Sequence, residues 1–398
     1  MSNYITEIDQ KGEIAVDDTI LIKDVECTAG SRILGGFVPL FDAEAVERIK
    51  KAGYGIKGKT NVGEFGLDII GETSYYGEAQ ENGNLIGAAA DEVKNRKVKA
   101  ALCVDLNGAP RRAAAVSGQT FIKPTYGTVS RYGVIPCACS GEQIGVMSDS
   151  SENTKKFLTI IAGRDDKDGT SLKNDSYDYE SKTELSEMNI CLIKELLDAA
   201  DEKVAARIRS VVNFLEKSGA KTEYISVPEV RYAQAAWQIL LAAETCNNIS
   251  RYDGVKFGYR TPDYKDIDEL YIKSRTEGLG ILSKETLIYG SDVLSKGRYD
   301  VCYDKALRVR RVVMDKMKDV FGKYDAVLIP AGSTFEYKKY PLDKAFENVY
   351  KESLFTAVSS ITGMPAIVSC GVQLVADHLN ESKLFEIASK LDLSEVEK

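Results

Sequence analysis

Histidine is almost missing from this chain: one residue, His378, among 398. A Ser-His-Asp or Cys-His mechanism would therefore rest entirely on that imidazole, in "LVADHLNES", where a surface or capping role is the simpler reading. Metal-ligand spacing is lacking as well. The eight cysteines are scattered at 27, 103, 137, 139, 191, 246, 302 and 370. Only "PCACS" brings two thiols close, and no second ligand pair accompanies it, so no metal centre and no cofactor is implied. Most of the cysteines sit among apolar neighbours, as in "AIVSCGV", which reads as free core thiols rather than a disulfide framework. Long hydrophobic runs are absent too. "AAWQILLAA" at 235–243 is too short to span a bilayer, and "MSNYITEIDQKGE" has neither the basic nor the apolar region of a signal peptide, so a cytoplasmic protein without a membrane segment is expected. Positive charge is outnumbered, 52 Lys and Arg against 60 Asp and Glu, for a net charge of -8. That balance argues against direct nucleic-acid binding by the chain alone, and the one local basic cluster, "KNRKVK" at 94–99, reads as a solvated helix face. No internal repeat and no extended low-complexity tract is visible.

What is present is alternation of short apolar runs with amphipathic segments. "DDTILIKDVEC" at 17–27 reads as a strand with Lys23 near its end, and "DAEAVERIKKAG" at 42–53 as a helix capped by Asp42 and ended by Gly53. "YGIKGKT" follows as a strand. Between 60 and 150 the chain is rich in Gly, Ala and Ser and poor in long helices apart from 86–100, which implies tight turns and close backbone approaches. "SSENTKKFLTIIAG" is a capped helix, and the polar stretch 164–185 is a surface excursion. Val204, Ile208, Val211 and Leu215 stand at helical spacing before Gly219, with "KTEYISVP" as the next strand. The segment 303–330 repeats that helix, glycine, strand plan, and the chain closes with strands in "ITGMPAIVSCGVQLVAD" and a helix around 382–391. The expected fold is α/β, a large mixed β-sheet covered by helices on both faces, built as one domain over 1–398.

Several blocks carry a resemblance: "ILIKDVECTAGSRIL", "FVPLFDAEAVERIKKAGYGIKGKTNVGEFG", "ETSYYG", "KPTYGTVSRYGVI", "IAGRDDKDGTS", "RYDGVKFGYR" and "SRTEGLG". Together they resemble the amidase signature family, and within it the A subunits of glutamyl-tRNA(Gln) amidotransferases. The resemblance runs from about residue 18 to 390 and implies the amidase signature fold, with the family's N-terminal helical segment shortened. Members of that family cleave amides with a Ser, cis-Ser, Lys triad: a hydroxyl nucleophile, a second hydroxyl to relay its proton, and a desolvated lysine as base. The resemblance puts the lysine on Lys23, in "IKD". It puts the relay serine on Leu85, in "GNLIGA", and the nucleophile on Ala109, in "DLNGAPR". Leu85 and Ala109 are 24 positions apart, the family's spacing between those serines. The arginine and aspartate that hold the substrate's carboxylate and ammonium in glutamine-using members fall on Thr286 and Ser353, so both charges are replaced.

The remaining candidates divide between chemistry and structure. Asp105 is expected to cap its turn, with ligand binding as the alternative. Arg111 and Arg112 suit structural ion pairs, or contacts to an anion or partner. Cys103 reads as a buried thiol. Cys139, in "PCACSGEQIG", would serve as a relocated nucleophile only with a lowered thiol pKa and a base in reach, for which Lys23 is the one candidate. Ser117 and Ser140 lie in the same region but outside the nucleophile's turn. The expectation is a catalytically inactive protein, similar to the amidotransferase A subunits, acting as a binding or assembly component. Its expected partner is a protein related to amidotransferase subunits, such as another amidase-type subunit or a B- or C-like protein, or a second copy of this chain. The alternatives are an amidase or glutaminase with a relocated Ser or Cys nucleophile, and a small-molecule binder using the vestigial pocket.

Overall fold

A computed structural model describes residues 3–71, 73–256 and 258–393. Glu72 of the "ETSYYG" block and Phe257 of "RYDGVKFGYR" fall outside them. The first half supplies the strands β1 (Tyr4–Glu7), β2 (Ile14–Asp17), β3 (Ile56–Thr60), β4 (Gln80–Glu81), β5 (Asn84–Leu85), β6 (Ala100–Asp105), β7 (Thr120–Lys123) and β8 (Gln143–Ser148). The second half adds β9 (Asn189–Ile193), β10 (Lys221–Ile225), β11 (Ala326–Ile329), β12 (Ala366–Ser369) and β13 (Val372–Val375). Eleven of these form one mixed sheet in the order β1-β3-β2-β6-β8-β7-β12-β13-β11-β9-β10, and β4 pairs with β5 as a separate hairpin. β2 runs parallel to both β3 and β6, while β6, β8, β7 and β12 alternate in direction.

The two faces of the sheet carry different side chains because successive residues of a strand point opposite ways. Ile14, Val16, Leu102, Ile144 and Val146 face a core of large aliphatics closed by α1 (Glu44–Lys51), α4 (Ser151–Ile161) and the helices Glu202–Lys217 and Glu381–Asp392. Ala15, Ala101, Cys103 and Met147 face the other way, against α2 (Ala88–Lys94) and α3 (Ala109–Ser117). That second face is built from small residues on both sides, among them Ala89, Ala90, Ala113, Ala114 and Ala115, so α2 and α3 approach the sheet closely. β10 is an edge strand whose exposed Lys221 and Glu223 discourage further pairing. Among the described residues no helix is long and apolar enough to cross a membrane.

Several sequence expectations match. Val204, Ile208, Val211 and Leu215 are the buried stripe of the helix Glu202–Lys217, and Ser150 caps α4 through its side chain. The polar stretch 164–185 is irregular chain up to Leu185, which opens a 3-10 turn, with Asp165 and Tyr179 buried within it. Others need correction. The strand expected at 17–27 lies earlier, at Ile14–Asp17, and the apolar "ILI" that follows is irregular chain. It is held there by a lone bridge from Ile20 to Val134, a bond from the Leu21 amide to the Gly133 carbonyl, and Lys59 donating to the Ile20 carbonyl. Asp42 does not cap α1. Its carboxylate accepts from the Lys23 amide at 2.8 Å and from Lys50 Nζ at 2.7 Å, while Ala43 holds the cap position. The helix expected over 86–100 is confined to α2, and the basic residues after it are matched by carboxylates: Lys94 by Glu81, Lys97 by Glu92 and Lys99 by Glu13.

Candidate functional site

The parallel strands β2 and β6 end in acids, Asp17 and Asp105, and beyond those ends the chain opens a cavity. In α/β sheets the carboxyl ends of parallel strands are where ligands gather. From β6 the chain turns through Leu106, Asn107 and Gly108 into α3. Gly108 sits at φ +104°, and a Cβ there would run into the Thr356 side chain, so only glycine fits. Asn107 pins the turn: its Nδ2 donates to the Leu67 carbonyl at 3.0 Å, and its Oδ1 accepts from Trp237 Nε1 at 2.9 Å. Ala109 then opens α3, Pro110 follows, and no side chain caps the helix. Ala109 and Pro110 line the cavity together with Asp17, Cys103, Asp68 and Arg112.

Asp17 is the residue that the sequence reading missed. Its carboxylate accepts from Thr60 Oγ1 and from the Val104 amide, both at 3.0 Å, and no cation of the described residues lies within ion-pair distance. Burial pushes its pKa up to about 7, against the lowering effect of those hydrogen bonds and of the Lys59 charge. Cys103, beside it, is buried and its thiol is pushed well up by desolvation and by the Asp17 charge. Thr19 also lines the cavity. It is 4% exposed, and among the described residues its hydroxyl has no hydrogen-bond partner. Asp68 has both oxygens engaged, one by the Gly71 amide and the other by the amide and hydroxyl of Thr73. The signal for Asp17 was available in "EIAVDD": a short run that buries completely and then meets two acids.

The two arginines of α3 differ. Arg111 grips Asp105 in a bidentate pair at 2.7 and 2.9 Å, and also donates to the Thr356 carbonyl, Ser359, Ser360 and Gln373. Asp105 is thus not a turn cap; its carboxylate is spent on Arg111, six positions further along the chain. Among the described residues no carboxylate lies within ion-pair distance of Arg112, although the charges of Asp68 and Glu352 act on it from farther off. Its guanidinium donates to the carbonyls of Ile69 at 3.0 Å, Ile70 at 2.9 Å and Leu85, with the Tyr337 ring 5.1 Å away. Desolvation lowers its pKa.

Other expected site residues are dispersed. Lys23 is exposed, on the irregular chain beside Asp42, and does not line the cavity. Lys23, the position that the resemblance gives to the family's lysine, is thus not brought to Ala109; the residue that β2 delivers to the cavity is Asp17. Leu85 is buried against Ile70 and Tyr337, behind the cavity wall rather than in it. Thr286 and Ser353 are buried on helices, and each hydroxyl is returned to its own chain, to the Leu282 and Tyr350 carbonyls. Cys139 is half-buried near Arg131 and Glu142, away from the cavity, and burial pushes its thiol up, the wrong direction for a nucleophile. Ser117 donates to the Ala113 carbonyl and Ser140 to Glu244. His378 meets the Thr362 carbonyl at 3.0 Å. Among the described residues lining the cavity, the hydroxyl and thiol bearers are Thr19 and Cys103, and no lysine or histidine joins them.

An eleven-stranded mixed sheet with a glycine-bearing turn feeding a helix over its open end defines an amidase-type α/β architecture. The model of the Amidase family matches residues 13–385, and the chain belongs to that family. It is 35% identical over 396 residues to the glutamyl-tRNA(Gln) amidotransferase A subunit of Coxiella burnetii, covering 95% of this chain and 82% of that protein. To the corresponding protein of Lachnoclostridium phytofermentans it is 37% identical over 373 residues, covering 90% of this chain and 75% of the other. The crystal structure of the glutamyl-tRNA(Gln) amidotransferase A subunit from Thermotoga maritima superposes with a TM-score of 0.79 at 28% identity, covering 97% of this chain and 86% of that one. The urea amidolyase of K. lactis, with a TM-score of 0.82 at 18% identity, shares the fold; the match covers 96% of this chain and 23% of that one.

Proposed function

We propose that this chain is a non-hydrolysing member of the amidase family, related to amidotransferase A subunits, that serves as a binding or assembly component. One observation carries the reading: the cavity at the start of α3 presents Ala109 and Asp17, with no lysine and no serine among the described residues lining it. Breaking an amide by acyl transfer requires a nucleophile that attacks and a base that takes its proton. Ala109 supplies neither. In this reading Ala109 and Leu85 stand at the positions of the family's two serines and Asp17, not Lys23, at that of its lysine. Asp17, its pKa raised to about 7 by burial, has no nucleophile to serve: the thiol nearest to it, Cys103, is itself pushed well up and no serine lines the cavity among the described residues. Thr286 and Ser353, at the proposed substrate-ion positions, bring no charge. The chain would act as one amidase-like domain with 164–185 as a surface excursion, and its partner would be an amidotransferase-type subunit or a second copy.

The test is ammonia release from glutamine, asparagine and simple amides, by the purified chain alone and with amidotransferase subunits added. No release above the buffer rate is expected in either case. Release that vanishes on Cys103→Ser or Cys139→Ser would overturn the reading in favour of a relocated nucleophile.

A further inference from the structure

Three features of the cavity point to one class of ligand. The first is the guanidinium of Arg112, 1% exposed, whose N–H groups meet three backbone carbonyls and, among the described residues, no carboxylate within ion-pair distance. A guanidinium carries five N–H donors, so this one retains capacity, and a buried cation without an anion is costly. The second is the first turn of α3, a helix of nine residues, which lacks a side-chain cap and opens on the cavity at Ala109. Helix starts of this kind favour negative charge. The third, independent of both, is Thr19: buried, lining the cavity, its hydroxyl unpaired. Leaving a buried hydroxyl unmatched is costly, so a bound group that accepts from it is favoured.

We propose that this cavity binds a small monocarboxylate anion, held by Arg112, the Thr19 hydroxyl and the uncapped first turn of α3. The walls also carry acids, and they decide the size and pH behaviour of the guest. Asp68 spends three of its roughly four lone-pair sites on Gly71 and Thr73, so it offers a guest little acceptor capacity, and its charge acts on Arg112 from beyond ion-pair distance. Asp17 is faced by Lys59 and Thr60 from β3, by Cys103 and the Val104 amide from β6, and by Asp18 next along the chain. When protonated it is a donor to the anion; when ionised it repels it. Binding therefore takes up a proton at Asp17. The alanine-lined space near Ala88, Ala89 and Ala113 limits the guest to a short aliphatic tail.

The inference rests on the cavity being non-hydrolysing, and its test uses ligands with no bond to cleave, so a failure here is separable from a positive ammonia assay. Acetate and propionate, with acetamide and methylammonium as matched controls, are titrated into the full chain by calorimetry and thermal shift at about pH 6 and at about pH 8.5. Carboxylates alone should bind, with Kd in about the millimolar range, and weaken roughly tenfold for each pH unit above about 7. Thr19→Val should weaken binding several-fold without lowering the melting temperature of the unliganded chain, since the lost hydroxyl had no partner. Asp17→Asn should remove the pH dependence. Equal or tighter binding of acetamide or methylammonium, indifference to Thr19→Val, or no binding of any probe would each overturn the proposal.

Discussion

On the two sides of α3 lie two buried sets of the same chemistry, and they have opposite fates. On one, Arg111 and Asp105 saturate each other, and Ser359, Ser360, Gln373 and the Thr356 carbonyl take the rest of the guanidinium. On the other, Arg112 and Asp17 line one cavity without forming a pair. The closed set welds the end of β6 to α3 and to the helix Ala357–Thr362, and it leaves nothing for a ligand. The open set holds unspent donors beside Ala109, whose methyl group offers no nucleophile. Burial of charge alone thus does not mark a functional site; what marks it is burial in which the partners are missing.

The sharpest way to break this contrast is at the closed set. Arg111→Ala leaves Asp105 buried and unpaired, and should cost about 3–5 kcal/mol in urea unfolding. If Arg111→Ala cost as little as an exposed substitution, the two sets would not differ in the way described. Gly108→Ala should come next, at roughly 2–4 kcal/mol, because φ +104° and the Thr356 side chain both oppose a methyl group there. The open set is sharpened by pH. A carboxyl with a raised folded pKa contributes stability that is full below its unfolded pKa and is lost as pH rises through the folded one. Asp17, pushed up to about 7, should make the chain progressively less stable between about pH 4 and about pH 7, by roughly 2–4 kcal/mol, and the loss should then level off. Glu142, also raised to about 7 by burial, adds a parallel loss. Comparison of Asp17→Asn with the parent chain isolates the Asp17 share, since Glu142 is common to both. Smallest of all, Lys23→Ala should change stability by less than about 0.5 kcal/mol and leave carboxylate binding unaltered, because the side chain is exposed and outside the cavity.

The architecture was largely legible in the sequence because its signals are local. The stripe Val204, Ile208, Val211, Leu215 and the cap at Ser150 announce their helices within a few residues, and the glycine turn "DLNGA" announces α3. The errors have physical causes as definite as the successes. An apolar "ILI" after "DD" imitates a strand, yet it is held by Val134, Gly133 and Lys59, none of which is near in sequence. The resemblance of "IKD" drew attention to Lys23, whereas the residue that lines the cavity is Asp17, six positions earlier at the end of β2. Asp105 looked like a turn cap because turn chemistry is local, whereas its partnership with Arg111 depends on the rotation of α3. Arg112, read alongside Arg111 as a structural ion pair or an anion contact, forms no such pair among the described residues, and the carbonyls it holds were hidden because they lie 27 to 43 positions upstream.

The account depends on there being no group in the cavity able to attack an acyl or phosphonyl centre. Intact-mass spectrometry after exposure to a small fluorophosphonate, which captures activated serine or threonine hydroxyls, reads this directly for the hydroxyls. The mass should remain that of the unmodified chain, at neutral pH and with partner subunits present. A single stoichiometric adduct mapping to Thr19 would show that the cavity is an armed active site.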